Sequence, residues 1–233
     1  MDSHPSTVRL NKFLAERLGV SRREADDLIF SGKVTIDGKV AVLGARVDNS
    51  SKVCYNGKIV PFSADFLYIA FNKPINYVCS RRAQGNTPTL YELLPKEYQK
   101  LKTVGRLDKD SSGLILLTND GDFAYQMTHP KFHKEKIYEV TLDRPLEPLH
   151  QQMISDYGIM LDDGPSKFIV VRVSQASYKV VLTEGRNRQI RRTFAALGYK
   201  VKALHRISFG VFELSGLEPG KFQIIDKALG LGA

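Results

Sequence analysis

The stretch Val104-Gly-Arg-Leu-Asp108-Lys-Asp-Ser-Ser-Gly113-Leu-Ile-Leu-Leu-Thr118 decides how this chain is read. Gly113 to Thr118 carries no alternating polar positions, which predicts a strand buried on both faces. The residues ahead of it form a turn that holds one carboxylate, Asp108, two residues after Arg106. A turn aspartate is most often a cap or a turn former. Here it stands before a buried strand in a chain with 34 Lys/Arg against 25 Asp/Glu, net +9. That setting points to chemistry on a polyanion.

Composition narrows the class. With 233 residues, 42% of them apolar and 25% charged, the chain has room for one large or two modest domains. No apolar run approaches the roughly 18 residues that cross a bilayer. The polar start, residues 1–7, lacks the basic and apolar regions of an export leader, so a cytoplasmic location with no membrane partner is expected. Cys54 and Cys79 are the only cysteines and have no metal-ligand spacing, so no metal site is expected and both thiols are read as reduced.

Working back toward the start, Leu10, Phe13, Leu14 and Leu18 recur at helical spacing, and Gly19 suits a stop. Ser21-Arg-Arg-Glu24 is a capping box for a second helix, whose Ala25, Leu28 and Ile29 face inward. Asp37-Gly38 and Asn56-Gly57 then mark two hairpins. Arg9, Lys12, Arg17, Arg22, Arg23, Lys33 and Lys39 fall outside the apolar positions. A solvated face and a phosphate-binding face both fit that pattern. The basic charge is spread: residues 7–60 hold ten Lys/Arg against six Asp/Glu, and residues 61–233 hold 24 against 18.

Working forward, Leu67 to Phe71, Lys136 to Leu142, Phe168 to Val173 and Tyr178 to Thr183 read as strands. Short helices are expected at Thr89–Leu94, Asp122–Thr128 and Gln189–Leu197. Without regular strand–helix alternation, the fold class is α+β with a mixed, mainly antiparallel sheet. Two further segments stand beside the opening one. In Lys136-Ile-Tyr138-Glu-Val140, Tyr138 shares its face with Val140 and Leu142, so a core tyrosine is the plain reading. In Glu184-Gly-Arg-Asn-Arg-Gln-Ile-Arg191-Arg192, four arginines crowd seven residues. Arg191 lies in a helix whose Phe194 and Leu197 pack inward. It is expected to be partly buried and therefore to have a carboxylate partner.

The N-terminal motifs Leu10-Asn-Lys-Phe-Leu14, Ser21-Arg-Arg-Glu-Ala25 and Gly32-Lys-Val-Thr-Ile-Asp-Gly-Lys39 resemble an S4 RNA-binding domain. Asn72-Lys-Pro74, Gly105-Arg-Leu-Asp108, Lys136-Ile-Tyr138, Glu184 to Arg192 and Leu204-His-Arg206 follow in order. With the S4 motifs in front, the chain resembles the ribosomal-RNA pseudouridine synthases of the RsuA family. The resemblance spans residues 8–230. Asn76 stands where glycine often follows Lys-Pro, a mild change because Asn tolerates positive φ. Thr193 stands where a larger apolar residue is common and bears on local packing.

The resemblance implies an S4 domain over residues 7–53, a linker over 54–65 and a pseudouridine synthase catalytic domain over 66–233. It makes Asp108 the nucleophile, Tyr138 the residue that stacks on the base and assists loss of the C5 proton, and Arg191 the cation that keeps Asp108 ionised. Arg9, Lys12, Arg22, Arg23, Lys33, Arg106, Arg186, Arg188, Arg192 and Arg206 are the expected RNA contacts. No cofactor is implied. The expected partner is ribosomal RNA or a ribosome assembly intermediate, bound by a monomer. Lys109-Asp-Ser-Ser112 suggests the 23S rather than the 16S molecule. The rival reading is a non-catalytic rRNA-binding or ribosome-assembly protein, against which the joint presence of Asp108, Tyr138 and Arg191 weighs.

Overall fold

The structure is a computed structural model that describes residues 7–63 and 65–226. Residues 1–6, on which the expectation of no leader rests, and the last seven residues of the expected second domain lie outside the described residues. The described residues fall into two compact units, the first running to Phe66 and including Asn119–Gly121, the second holding the rest.

The first unit runs β1 (Val8–Arg9), α1 (Leu10–Leu18), α2 (Arg22–Phe30), β2 (Val34–Ile36), β3 (Lys39–Val40), β4 (Arg46–Val47), β5 (Val53–Tyr55) and β6 (Lys58–Ile59). The capping box forms as expected: Glu24 N–H donates to Ser21 Oγ at 3.1 Å, and Ser21 N–H donates to the Glu24 carboxylate at 2.6 Å. Leu10, Phe13, Leu14, Ala25 and Ile29 of the two helices pack on Val34, Val47, Val53 and Val60. The sheet order is β3-β2-β5-β6. Both of its hairpins turn through left-handed pairs, Asp37-Gly38 and Asn56-Gly57.

Residues 54–60, the start of the expected linker over 54–65, belong to the sheet and core of the first unit. β5 and β6 complete the sheet, and Val60 is buried in the core. Beyond them Arg17 donates to Pro61 O at 3.2 Å and to Phe62 O, while the Phe62 ring stacks 4.4 Å from Phe13. Arg17, one of the cations outside the apolar positions, therefore directs its guanidinium to the end of its own unit.

The second unit runs β7 (Tyr68–Lys73), β8 (Lys102–Val104), β9 (Ser112–Thr118), α3 (Gly121–Thr128), β10 (Lys136–Leu142), α4 (Pro148–Gln152), β11 (Ile159–Leu161), β12 (Gly164–Ser166), β13 (Ile169–Arg172), β14 (Ser177–Leu182), α5 (Gln189–Ala196), β15 (Val201–Phe209), β16 (Phe212–Glu213) and β17 (Phe222–Ile224). The main sheet follows the order β13-β14-β10-β15-β9-β7-β17. Its described pairings are antiparallel except β9 with β15, which run parallel through Ser112–His205 and Gly113–Arg206.

Both faces of the sheet are covered, which explains the unbroken apolar run. Ile115 and Leu117 of β9 join Ile69 and Phe71 in one core, under Ile190 and Phe194 of α5. Leu114 and Leu116 join Tyr68 and Ala70 in the other, under Phe123 and Met127 of α3. With a period of two and apolar cover on each side, every position must be apolar.

Candidate active site

The turn bearing Asp108 is braced from behind. Gly105 leaves β8 with φ 72°, a conformation that glycine adopts without cost. Leu107 then buries its side chain and exchanges two bonds with Cys79. Its N–H donates to the sulfur at 3.3 Å, and the thiol donates to its carbonyl at 3.3 Å. Burial pushes the Cys79 thiol up, which keeps the proton it donates. Asn76 N–H donates to Lys109 O at 2.8 Å from a backbone at φ 68°, the positive angle that Asn tolerates. Lys73 is fully buried and donates to Ser111 O at 2.7 Å and Pro74 O at 2.9 Å. Residues 73–79 thus hold residues 107–111 at three points.

In front of the turn lies a cavity of about 320 Å³ whose lining includes Arg106, Asp108, Lys136, Tyr138, Ile190, Leu204, Arg206 and Phe209. Tyr138, Val140 and Leu142 alternate inward along β10 as the sequence predicts. Tyr138 has Val180 and Arg206 as its cross-strand neighbours. The Asp108 side chain keeps 35% of its surface exposed at this cavity. Lys136 is half-buried, and burial pulls its pKa down to about 8.

Arg206, an expected RNA contact, lines the cavity. It is buried, donates through Nε to Leu114 O at 2.7 Å and lies 4.8 Å over the Phe209 ring. A guanidinium so enclosed shapes the cavity floor rather than an outer phosphate surface.

The arginine segment sorts into two groups. Arg188 precedes α5 in the left-handed conformation at φ 45°. It grips Asp110 with two bonds of 2.9 Å and approaches Asp108 at 3.6 Å. Arg191 is partly buried and does have a carboxylate partner, but the partner is Asp110 at 3.3 Å. Its other bonds run to Asp110 O at 2.7 Å and Val201 O at 3.0 Å. The direct ion pair of Asp108 is therefore with Arg188, and Arg191 acts on Asp108 only through the longer-range field. Burial lowers the pKa of Arg191, whereas the hydrogen bond with Asp110 raises that of Arg188 and lowers that of Asp110.

Arg186 and Arg192, expected on RNA, anchor the β11–β12 hairpin instead. Arg186 donates to Asp163 at 3.0 Å and to Gly164 O and Pro165 O at 3.1 and 2.8 Å. Arg192 pairs with Asp162 at 2.8 Å and with Asp163 at 2.7 Å. Beneath them Thr193 is buried but satisfied, because its hydroxyl meets Ser166 Oγ at 2.7 Å and Gln189 O at 2.9 Å. A polar residue is thus accommodated at a position where an apolar one is common.

Residues 67–196 match the RNA pseudouridylate synthase family, and residues 8–53 match the S4 domain. The chain belongs to the RNA pseudouridine synthases. It is 40% identical over 213 residues to the ribosomal small subunit pseudouridine synthase A of Pasteurella multocida, covering 89% of this chain and 90% of that one. It is 35% identical to the ribosomal large subunit pseudouridine synthase B of Salmonella typhimurium, covering 94% of this chain and 80% of that one. A crystal structure of a pseudouridylate synthase superposes with a TM-score of 0.69 at 31% identity, over 95% of this chain and 97% of that one.

In the S4 unit of this synthase, Arg9, Arg22, Arg23 and Lys33 are exposed and Lys12 is half-buried. α1 and α2 are tied by Asn11, whose amide donates to Asp26 at 3.0 Å. In the catalytic unit, Arg106 is exposed at the cavity. Sequence reasoning missed Asp110 as the carboxylate that gathers two arginines, and it missed Asp163 as the anchor of two more. The available signal was charge balance: four arginines in seven residues are too many for one nucleophile.

Proposed function

We propose that the enzyme converts a uridine of ribosomal RNA to pseudouridine with Asp108 as its nucleophile. The observation that carries this reading is the Asp108 carboxylate, open to a cavity lined by Tyr138 and flanked by Arg188 and the Asp110-held Arg191. A carboxylate attacks as its anion, and Arg188 stands 3.6 Å from this one. Attack at C1′ of the ribose breaks the N-glycosidic bond and forms an ester to Asp108. The freed uracil anion turns, its C5 displaces the ester at C1′, and the C5 proton leaves with help from Tyr138. Attack at C6 of the base is the alternative first step, with the same product and the same residues.

Taking the uridine out of its stack costs a few kcal/mol. Phosphate contacts by Arg9, Lys12, Arg22, Arg23 and Lys33 offset that cost away from the reacting base. Arg106 holds the strand beside the vacated position. The arginines 186, 192 and 206 act one step back, by shaping the pocket wall. Of the four residues that suggested 23S rRNA, Asp110 and Ser111 are committed to contacts inside the protein. Relatives named for either subunit match the chain. The substrate is therefore read as rRNA, free or in an assembly intermediate, bound by a cytoplasmic monomer. No helix among the described residues is long and apolar enough to cross a membrane.

The test is to incubate the protein with unmodified 16S and 23S transcripts and with assembling subunits, then map pseudouridine by carbodiimide-dependent reverse-transcription stops. One discrete stop is expected. Asp108→Asn should abolish it while rRNA affinity stays within a few-fold. No stop on any substrate sinks the rRNA reading, and a stop that survives Asp108→Asn sinks the nucleophile.

A further inference from the structure

One cluster beside the cavity takes no part in the chemistry above. α3 packs Phe123 and Met127 into the core, which leaves Tyr125 on its outer side, 45% exposed. The chain then turns back through a short 3-10 helix, Pro130–Phe132. The turn returns His129 to 4.7 Å and Phe132 to 5.7 Å from the Tyr125 ring, with 6.4 Å between His129 and Phe132. Lys131 Nζ lies 4.7 Å from the Phe132 centroid and 5.2 Å from that of Tyr125. His129 Nδ1 accepts the Lys131 N–H at 3.3 Å, so the proton of the neutral ring is on Nε2, a donor on the ring's other side.

Every residue from Thr128 to His133 is exposed. Three aromatic rings that cover one another yet stay in water are short of a partner, since their remaining faces are flat and apolar. The surroundings say which partner. Thr128 and Pro130 line the same cavity as Asp108, and a side chain at Gly105 would meet the Thr128 methyl at 3.5 Å. The cluster is thus continuous with the mouth through which an RNA strand delivers its uridine, and it is basic where that strand is anionic.

We propose that Tyr125, His129 and Phe132 form a stacking platform for the nucleobase next to the target uridine. This rests on the reading of Asp108's cavity as the uridine pocket. Flipping one base leaves its neighbour without a stacking partner, and an aromatic surface at the pocket's edge replaces it. Lys131 adds a cation against the rings and the adjoining phosphate. The rings accept any base, and the His129 Nε2–H favours one that turns an acceptor toward it.

The test uses a hairpin RNA that spans the mapped uridine, with 2-aminopurine placed in turn on its 5′ and 3′ sides. Binding to the full chain should quench the probe on one side. Phe132→Leu keeps apolar volume but removes the ring. It should abolish the quench and raise KM about tenfold, with kcat within about twofold, as the loss of one base–aromatic stack requires. An abasic site at the quenched position should cost the wild type the same factor and cost Phe132→Leu nothing more. Tyr125→Leu is the second variant, and the abasic arm needs no substitution at all. Quenching on neither side overturns the platform, as do losses from Phe132→Leu and the abasic site that multiply. Turnover of the hairpin without coupling sinks the platform alone, whereas no turnover by the wild type sinks the uridine pocket with it.

Discussion

Asp110 places a second carboxylate two residues from Asp108 and takes the shortest bonds that Arg188 offers. It keeps two cations close to Asp108 without letting them close over it. Asp110→Asn removes the carboxylate that Arg188 grips and leaves that guanidinium to settle on Asp108, while Arg191 stays tied to the backbone oxygens of residues 110 and 201. The over-held carboxylate should lose about tenfold in kcat, or about 1.4 kcal/mol. An unchanged kcat would remove Asp110 from the electrostatics of the site. Lys73 makes a different prediction. Burial holds its pKa down at about 8 in the folded chain against an ordinary 10.5. Between those values the unfolded chain carries the proton and the folded chain does not. The contribution of Lys73 to stability is therefore flat below that window and rises with pH through it. Urea unfolding of wild type and Lys73→Met from about pH 7 to about pH 10 should show a gap that grows in favour of the wild type, its slope approaching about 1.4 kcal/mol per pH unit. A constant gap would show that Lys73 stays charged in the fold.

At the scale of elements, the parallel junction of β9 and β15 sets the site, because it puts Arg206 beside the strand that follows Asp108. Gly113 makes the junction possible. Its φ is 106°, and a Cβ there would stand 2.2 Å from Arg206 O and 2.5 Å from Arg206 N. Both obstacles are backbone, so neither can swing aside. Gly113→Ala should cost about 3 kcal/mol or more and lower Tm by many degrees in a thermal melt. A wild-type Tm would mean that the two strands are not so closely joined. The glycine was legible in the sequence only as the start of an apolar strand. The β11–β12 hairpin was not legible at all, since Ile159-Met-Leu161 and Gly164-Pro-Ser166 are short and weakly patterned. Its place follows from Asp162 and Asp163 meeting Arg192 and Arg186. The stronger patterns, Lys136–Leu142 and Ser112–Thr118, formed strands within a residue of where they were expected.

For the whole molecule, the S4 unit and the catalytic unit each bury their own core. Removing residues 1–66, rather than stopping inside the sheet at residue 53, should leave the catalytic unit able to fold. It should also weaken rRNA binding and make log K fall less steeply with log salt, because the S4 cations leave with the unit. Unchanged affinity and slope would place the phosphate anchor elsewhere. The sequence by itself determined the fold class, the S4 helices with their capping box and turns, and the order of the motifs around Asp108, Tyr138 and Arg191. Each of these depends on local periodicity, turn chemistry or fixed spacing, which a linear string carries. Only the tertiary structure decided which arginine meets which carboxylate. Arg188 and Asp110 are 78 residues apart in the chain, and a charge states its sign in the sequence but not its partner. The structure also brought the exposed rings of Tyr125, His129 and Phe132 together, next to the Thr128 and Pro130 that line the cavity Asp108 opens onto.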